Sequence, residues 1–510
     1  MGLLLGLDIS TTGAKALLID EQGNVVASAT TEYHHSTPHP LWSEQAPADW
    51  WNASCTSIRN ALQQAGCKRE EITCVGLTGQ MHGLVILDKS GQVLRPAILW
   101  NDQRTEVQCS EITAKAGGLS RLVELTGNAV LPGFTAPKIL WVRQNEPQLF
   151  ECVAHILLPK DYVRYRLTGE FATEVSDASG TSLFDVSRRC WSEPMLRTLD
   201  IPSDWLPACS ESPVISGQVN AIAAQATGLK VGTPVVGGGG DQAAQAVGSG
   251  IVTRGIISVT SGTSGVVFAH ADTFVAEAQG RLHAFCHAVP GKWNLMGVML
   301  SAGGSFRWLR DNLGEPERST ALLTGEDPYK VLTREAGRAP VGSEGLIFLP
   351  YLTGERTPYP DPHARGAFIG LTVRHTKSHV VRSVLEGVSF GLLDSLELIR
   401  GLGVPIQQVR ASGGGARSSL WRQIQADVFD TELTVVNVTE GAAYGAALLA
   451  GVGARIYSSV EEAVARTVKV TNRTIPIPEN VRQYRTLYPI YHALYAVLKP
   501  TFQALTDAVQ

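Results

Sequence analysis

At 510 residues the sequence is too long for one ordinary hydrophobic core, so two large domains are expected. Its 44% hydrophobic and 18% charged residues are those of a globular chain, and a formal net charge of -4 offers no general attraction to nucleic acid or an anionic membrane. Any phosphate binding must therefore be local.

The first thirty residues read strand, turn, strand, turn, strand. Leu3–Leu7 is an apolar run, Ser10–Gly13 a loop and Ala14–Ile19 a second strand, while Glu21–Asn24 makes a hairpin turn before Val25–Thr30. A helix is expected after Pro47, with Trp51, Cys55, Ile58 and Leu62 on one stripe and Gly66 at its end. Strand Thr73–Leu77 then leads into the loop GQMHG (Gly79–Gly83), and strands and helices go on alternating, the pattern of a mixed sheet covered by helices. Near the middle the grammar restarts. Ile256–Thr260 reads as a strand, Ser261–Gly265 as a small-polar loop and Val266–Ala269 as a second strand, as in an ancient duplication. The junction falls in the Gly-rich stretch Val247–Gly255. The expected domains are 1–248 and 249–510, with ligands in a cleft between them.

The eight cysteines (Cys55, Cys67, Cys74, Cys109, Cys152, Cys190, Cys209 and Cys286) are dispersed with no CxxC pair, as for reduced thiols and not for a zinc site. Asp8 and Lys15 interrupt the apolar start, so no signal peptide is expected, and Gly441–Gly453 is too short to span a bilayer. The expected location is the cytoplasm.

Three stretches carry chemistry. In GLDISTTGAK (Gly6–Lys15), Asp8 ends a strand before a hydroxyl-rich Gly loop. That suits a hydrated Mg²⁺ and nucleotide phosphates, since magnesium takes oxygen ligands and loop N–H groups and hydroxyls take phosphate oxygens. An ordinary turn Asp capping its own loop is the plainer reading. In GGGGDQAAQAVG (Gly237–Gly248), Asp241 follows four glycines at the start of a small-residue helix. A carboxylate there can cap the helix and also accept a proton from a sugar hydroxyl. Ser261–Gly265 and Ser412–Arg417 each follow an apolar strand, and Gly-rich turns of this kind cradle phosphates. None is a Walker loop, which needs Gly-Lys-Ser/Thr at a helix start.

Together these residues resemble the FGGY family of carbohydrate kinases, within the superfamily of actin, hexokinase and the large heat-shock ATPases. Two long family patterns fit without gaps: Gly133–Asn145 (GFTAPKILWVRQN), and the run from Gly366 through His379 and Val380 to Ser383–Gly387 (SVLEG). The stretches HPLWSEQ (His39–Gln45), GQMHG, LRPAILWNDQR (Leu94–Arg104), LPKDY (Leu158–Tyr162) and YLTGERTPYPDP (Tyr351–Pro362) are similar to the branch that phosphorylates D-xylulose. Glycerol kinases carry Arg-Glu chemistry in place of GQMHG.

The resemblance implies an α/β fold of two ribonuclease-H-like domains of the actin and hexokinase type, with the active site in the cleft between them. It implies a sugar-binding N-terminal domain and a nucleotide-binding C-terminal domain. The implied reaction is ATP-dependent phosphorylation of D-xylulose with Mg²⁺. Asp241 would be the proton acceptor, also lying against the sugar, and Asp8 the metal-side carboxylate. Gln80, Met81, His82, Trp100, Asn101 and Asp102 would form the sugar pocket. Thr11, Thr12, Lys15, Gly262, Thr263, Gly303, Arg307, Gly414, Gly415, Ala416 and Ser419 would bind ATP. Arg307 and Ser419 stand where glycerol kinases have amide side chains, and Pro137, Lys138 and Trp141 are read as fold residues. Ribulose, ribitol and gluconate are alternative substrates, and a sugar- and ATP-binding regulator is the alternative class. The expected partners are a small sugar and ATP, with no nucleic acid and no membrane; a homodimer is compatible with the sequence.

Overall fold

In the computed structural model, which describes residues 2–509, the opening run Leu3–Ile9 is a strand buried on both faces. Consecutive apolar residues require that burial. It pairs antiparallel with Gly13–Asp20, Asp8 opposite Lys15, and parallel with Ile72–Gly79, Asp8 opposite Thr78. Val25–Glu32 extends this sheet on one side, and Pro234–Val236 and Ile215–Gln218 extend it on the other. The two-residue strand Gly239–Gly240 also runs parallel to Ile72–Gly79, with Gly239 opposite Thr78 and Gly240 opposite Gly79. Three parallel strands therefore end side by side. The Ser10–Thr12 turn, the Gly79–Gly83 loop and Asp241 all leave the sheet at that one edge.

Alternation along Leu3–Ile9 divides its side chains between two cores. Leu3, Leu5, Leu7 and Ile9 pack with the helix Pro47–Ala65, through Trp50, Trp51, Cys55 and Ile58. Proline opens that helix, and Gly66 ends it in the left-handed region at φ 60°. Leu4 packs the other way, with Ala443, Tyr444 and Ala447 of the helix Gly441–Gly453. That second helix is built of small residues because it presses on backbone: a Cβ on Gly445 would lie 1.8 Å from the carbonyl oxygen of Ala244 in the helix Asp241–Gly248. The Asp241 helix is held by this contact.

The chain forms two compact units. One comprises Met1–Thr253, His270–Asn294 and Val438–Lys469; the other comprises Arg254–Ala269, Leu295–Asn437 and Val470–Gln510. The sequence suggested a single junction, yet the chain returns to the first unit twice, at His270–Asn294 and at Val438–Lys469, and the second return supplies the helix that covers one face of the first sheet. In the second unit Ile256–Ser261 pairs antiparallel with Gly265–Ala271 and parallel with Gln408–Ser412. Those are the relations Leu3–Ile9 has with Gly13–Asp20 and Ile72–Gly79. Glu432–Val436 and Val470–Thr474 follow, and the buried 25-residue helix Lys377–Gly401 backs this unit. Among the described residues no helix is long and apolar enough to cross a membrane.

Candidate active site

The sheet edge of the first unit gathers two carboxylates. Burial pushes the Asp8 carboxyl up to about 7, the Asp241 carboxylate adds to the rise, and Lys15 opposes it. Burial also pushes Asp241 up to about 6, against hydrogen bonds from Gln242. Asp241 is the first helical residue and Gly240 occupies the cap position, so Asp241 is not the N-cap residue, though its carboxylate takes the Gln242 N–H of the first turn. Asp8 Oδ1 is buried and has no hydrogen-bond partner. A buried carboxylate oxygen left in this way is costly unless a cation or a donor arrives with the ligand. No group of three or more His, Cys, Asp or Glu gathers to hold a metal among the described residues. An ion here would thus take one carboxylate or two, with phosphate oxygens and water completing its shell, which is how Mg²⁺ is commonly held.

The Gly79–Gly83 loop lies alongside. His82 sits at φ 68°, and its ring Nδ1 donates to the Gly180 carbonyl at 2.8 Å, since a carbonyl can only accept. Residue 180 must be glycine, because a Cβ there would come within 2.3 Å of the imidazole. Phe134 stacks on the same ring at 4.6 Å between centroids. Met81 is buried with its side chain against Gly240. The His82 carbonyl accepts from Thr135 Oγ1 at 3.1 Å and from Lys138 Nζ at 2.9 Å, and Lys138 also donates to Gly133 O at 2.6 Å. Burial pushes the Lys138 ammonium down to about 7, with Asp102 opposing. Lys138, read from the sequence as a fold residue, thus clamps the left-handed turn that presents His82.

The other expected sugar residues separate by role. Trp100 is 43% exposed and donates from Nε1 to Thr11 Oγ1 at 2.9 Å, leaving an open indole face at the site. Asn101 Oδ1 is, like Asp8 Oδ1, buried without a hydrogen-bond partner. Gln80 is buried, donating to Gln45 Oε1 at 3.0 Å within a network that includes Trp50. Asp102 differs from its expected role. It is 0% exposed, paired through both oxygens with Arg104 and accepting from Ser43 N at 2.7 Å, so it has no surface for a sugar and shapes the loop instead. Thr12 is exposed, and Lys15 is ion-paired with Glu440.

The remaining expected ATP residues lie in the second unit, where a cavity of about 1060 Å³ is lined by Gly262, Thr263, Gly303, Arg307, Gly414, Gly415 and Ser419. Ala416 does not line it; its carbonyl takes Arg422 Nη1 at 2.6 Å. Two turns of the lining are tied together, Ala302 N and Gly304 N both donating to Thr263 O at 3.0 and 2.9 Å. Phe306, Tyr329 and Trp421 supply ring surfaces, and Lys330, Arg334 and Arg417 join Arg307 as cations. Sequence reasoning missed these. Phe306 was within reach of it, standing three residues after Gly303 on the same helical face. The helix Pro328–Ala336 carries no motif, and only the fold brings it to the wall. Rings beside cations and bare backbone suit a ligand with a planar base and anionic groups.

A paired-carboxylate corner on one sheet and a ring-and-cation cavity on a second sheet of the same pattern are the parts that a phosphotransferase acting on a small alcohol requires. The chain belongs to the FGGY family of carbohydrate kinases, whose N-terminal domain matches residues 3–248 and whose C-terminal domain matches residues 257–454. It is 41% identical to the xylulose kinase of Escherichia coli (strain K12), over 98% of this chain and 99% of that one. The crystal structure of a xyloylose kinase from Brucella ovis matches with TM-score 0.89 at 38% identity, covering 98% of this chain and 100% of the other. That of xylulose kinase from Rhodospirillum rubrum matches with TM-score 0.91 at 31% identity, again over 98% and 100%.

Proposed function

We propose that this protein transfers the γ-phosphoryl group of ATP to O5 of D-xylulose, giving D-xylulose 5-phosphate and ADP. The observation that carries the reading is the pair Asp8 and Asp241 at one sheet edge, each raised by burial, one with an orphaned oxygen. Its support on substrate is the near full-length likeness to xylulose kinases.

The chemistry follows from the residues. Asp241 accepts the proton of the sugar hydroxyl as its oxygen attacks the phosphorus. Asp8 holds the metal side of the nucleotide phosphates, and a bound Mg²⁺ would neutralise charge developing on them. The second-unit cavity takes the nucleotide, its rings meeting the base and its cations and Gly-rich turns meeting the anionic groups. Met81 and the Trp100 face pack the carbon chain of the sugar, while His82 and Asn101 read its hydroxyls. The use of ATP supports a cytoplasmic location.

The test is a coupled ADP-release assay over pentuloses, hexuloses, polyols and aldonates. D-Xylulose is expected to give the highest kcat/KM, with D-ribulose next, since one or two hydrogen bonds separate these epimers. The Met81–His82 turn brings no cation to an aldonate carboxylate, and glycerol leaves polar groups unpaired. Higher kcat/KM for gluconate or glycerol would remove the D-xylulose assignment. ADP release unaffected by every sugar would instead favour a sugar-binding regulator.

The turn itself is testable. His82→Ala and Lys138→Met are both expected to raise the KM for D-xylulose about tenfold or more, by loss of one or two buried hydrogen bonds, while the KM for ATP stays constant. A change confined to the ATP KM in either variant would take the turn out of the sugar pocket.

A further inference from the structure

We propose that Ser176, supported by Glu174 and Lys160, is a positioning residue for the base Asp241. The inference rests on the reading of Asp241 as proton acceptor.

The four glycines Gly237–Gly240 have no side chains with which to fix their own turn, so the placement of Asp241 must be imposed by neighbours. On one side the Gly239 and Gly240 backbone pairs with Thr78 and Gly79. On the other, the N–H of Gly240, the peptide directly before Asp241, donates to Ser176 Oγ at 3.0 Å. That hydroxyl in turn donates to Glu174 Oε1 at 2.9 Å. Glu174 is fixed by Ser176 N at 2.7 Å, Asp177 N at 2.9 Å and Ser212 Oγ at 2.9 Å. Lys160 Nζ lies 3.5 Å from Glu174, 2.7 Å from Asp161 and 3.1 Å from Asp177. Ser176, Glu174 and Lys160 are at most 1% exposed, so none of them meets a ligand.

Burying this many charges is costly, and capping the four-residue helix Val175–Ala178 does not require a lysine-centred cluster. What the cluster does fix is an acceptor oriented at the Gly240 N–H. A small displacement of a proton acceptor is enough to lower turnover by one to two orders of magnitude, roughly.

The test is a double-mutant cycle, run with whichever sugar the unaltered enzyme uses best. Ser176→Ala is expected to lower kcat about tenfold or more, with both KM values within about twofold. In an Asp241→Asn background the same substitution is expected to change kcat by less than about twofold, because the base it positions is already gone. Equal loss in both backgrounds, an unchanged kcat, or a shift in KM alone would each overturn the proposal. Ser176→Cys, similar in shape with a weak acceptor, carries the same expectation should the alanine variant fail to accumulate. Near-normal turnover of Asp241→Asn by itself would retire the base assignment, a result distinct from failure of the Ser176 inference.

Discussion

Asp241→Asn is expected to lower kcat by a factor of about 10²–10⁴, the usual cost of removing a general base. The amide keeps the shape of the carboxylate and its place at the first helical position, but it cannot take the hydroxyl proton. Sugar and nucleotide should bind as before, so calorimetric titration of the variant should give affinities close to those of the unaltered protein. The pH dependence sharpens this. With the Asp241 carboxyl at about 6, the base is protonated and inactive below that pH and free above it. At saturating Mg²⁺, which keeps Asp8 deprotonated, the kcat/KM of the unaltered enzyme should therefore rise with pH through about 6 and then level, and the step should vanish in the asparagine variant. Turnover near that of the unaltered enzyme in a folded Asp241→Asn protein would exclude Asp241 as the base.

Asp8→Ala should be nearly as damaging, by a different route. Its buried Oδ1 has no partner, and its carboxyl is raised to about 7 by burial and by Asp241. A metal ligand must be deprotonated, so Mg²⁺ competes with a proton for this group. The Mg²⁺ concentration needed for half-maximal rate should rise as pH falls through about 7. In the alanine variant turnover should collapse and this pH-linked Mg²⁺ requirement should disappear. Sugar affinity without nucleotide should hardly change. A large loss of sugar affinity alone would move Asp8 from the phosphate side to the sugar pocket.

Asp8 and Asp241 were legible in the sequence for local reasons. Asp8 lies near the end of a strand signalled by consecutive apolar residues and beside a turn of glycine and small hydroxyl residues, and Asp241 directly follows four glycines, so each carboxylate is marked within about ten positions. The repeat of strand, small-polar loop and strand at Ile256–Ala269 was equally local, and the second sheet repeats the pairing of the first. The helix Pro47–Ala65 carried its own start and stop signals. The family patterns at Gly133–Asn145 and Gly366–Gly387 are likewise runs of neighbouring residues. All of these depend on turn chemistry, burial period and residue order, which a chain encodes position by position.

Only the tertiary structure decided what those residues meet. Lys138 reads from the sequence as a fold residue, and only the fold sets its ammonium on the His82 carbonyl, 56 residues away in sequence. Asp102 looked like a pocket residue until the fold buried its carboxylate against the Ser43 N–H, 59 residues away in sequence. Lys15, expected at the phosphates, finds Glu440 across 425 residues because the helix following that glutamate closes the first sheet. The cavity walls at Tyr329 and Arg334 and the support of Gly240 by Ser176 belong to the same class. Their partners are set by strand register and by how closely helices of small residues approach the sheet. Those quantities arise from many weak contacts summed over the whole fold, and no single stretch of sequence contains them.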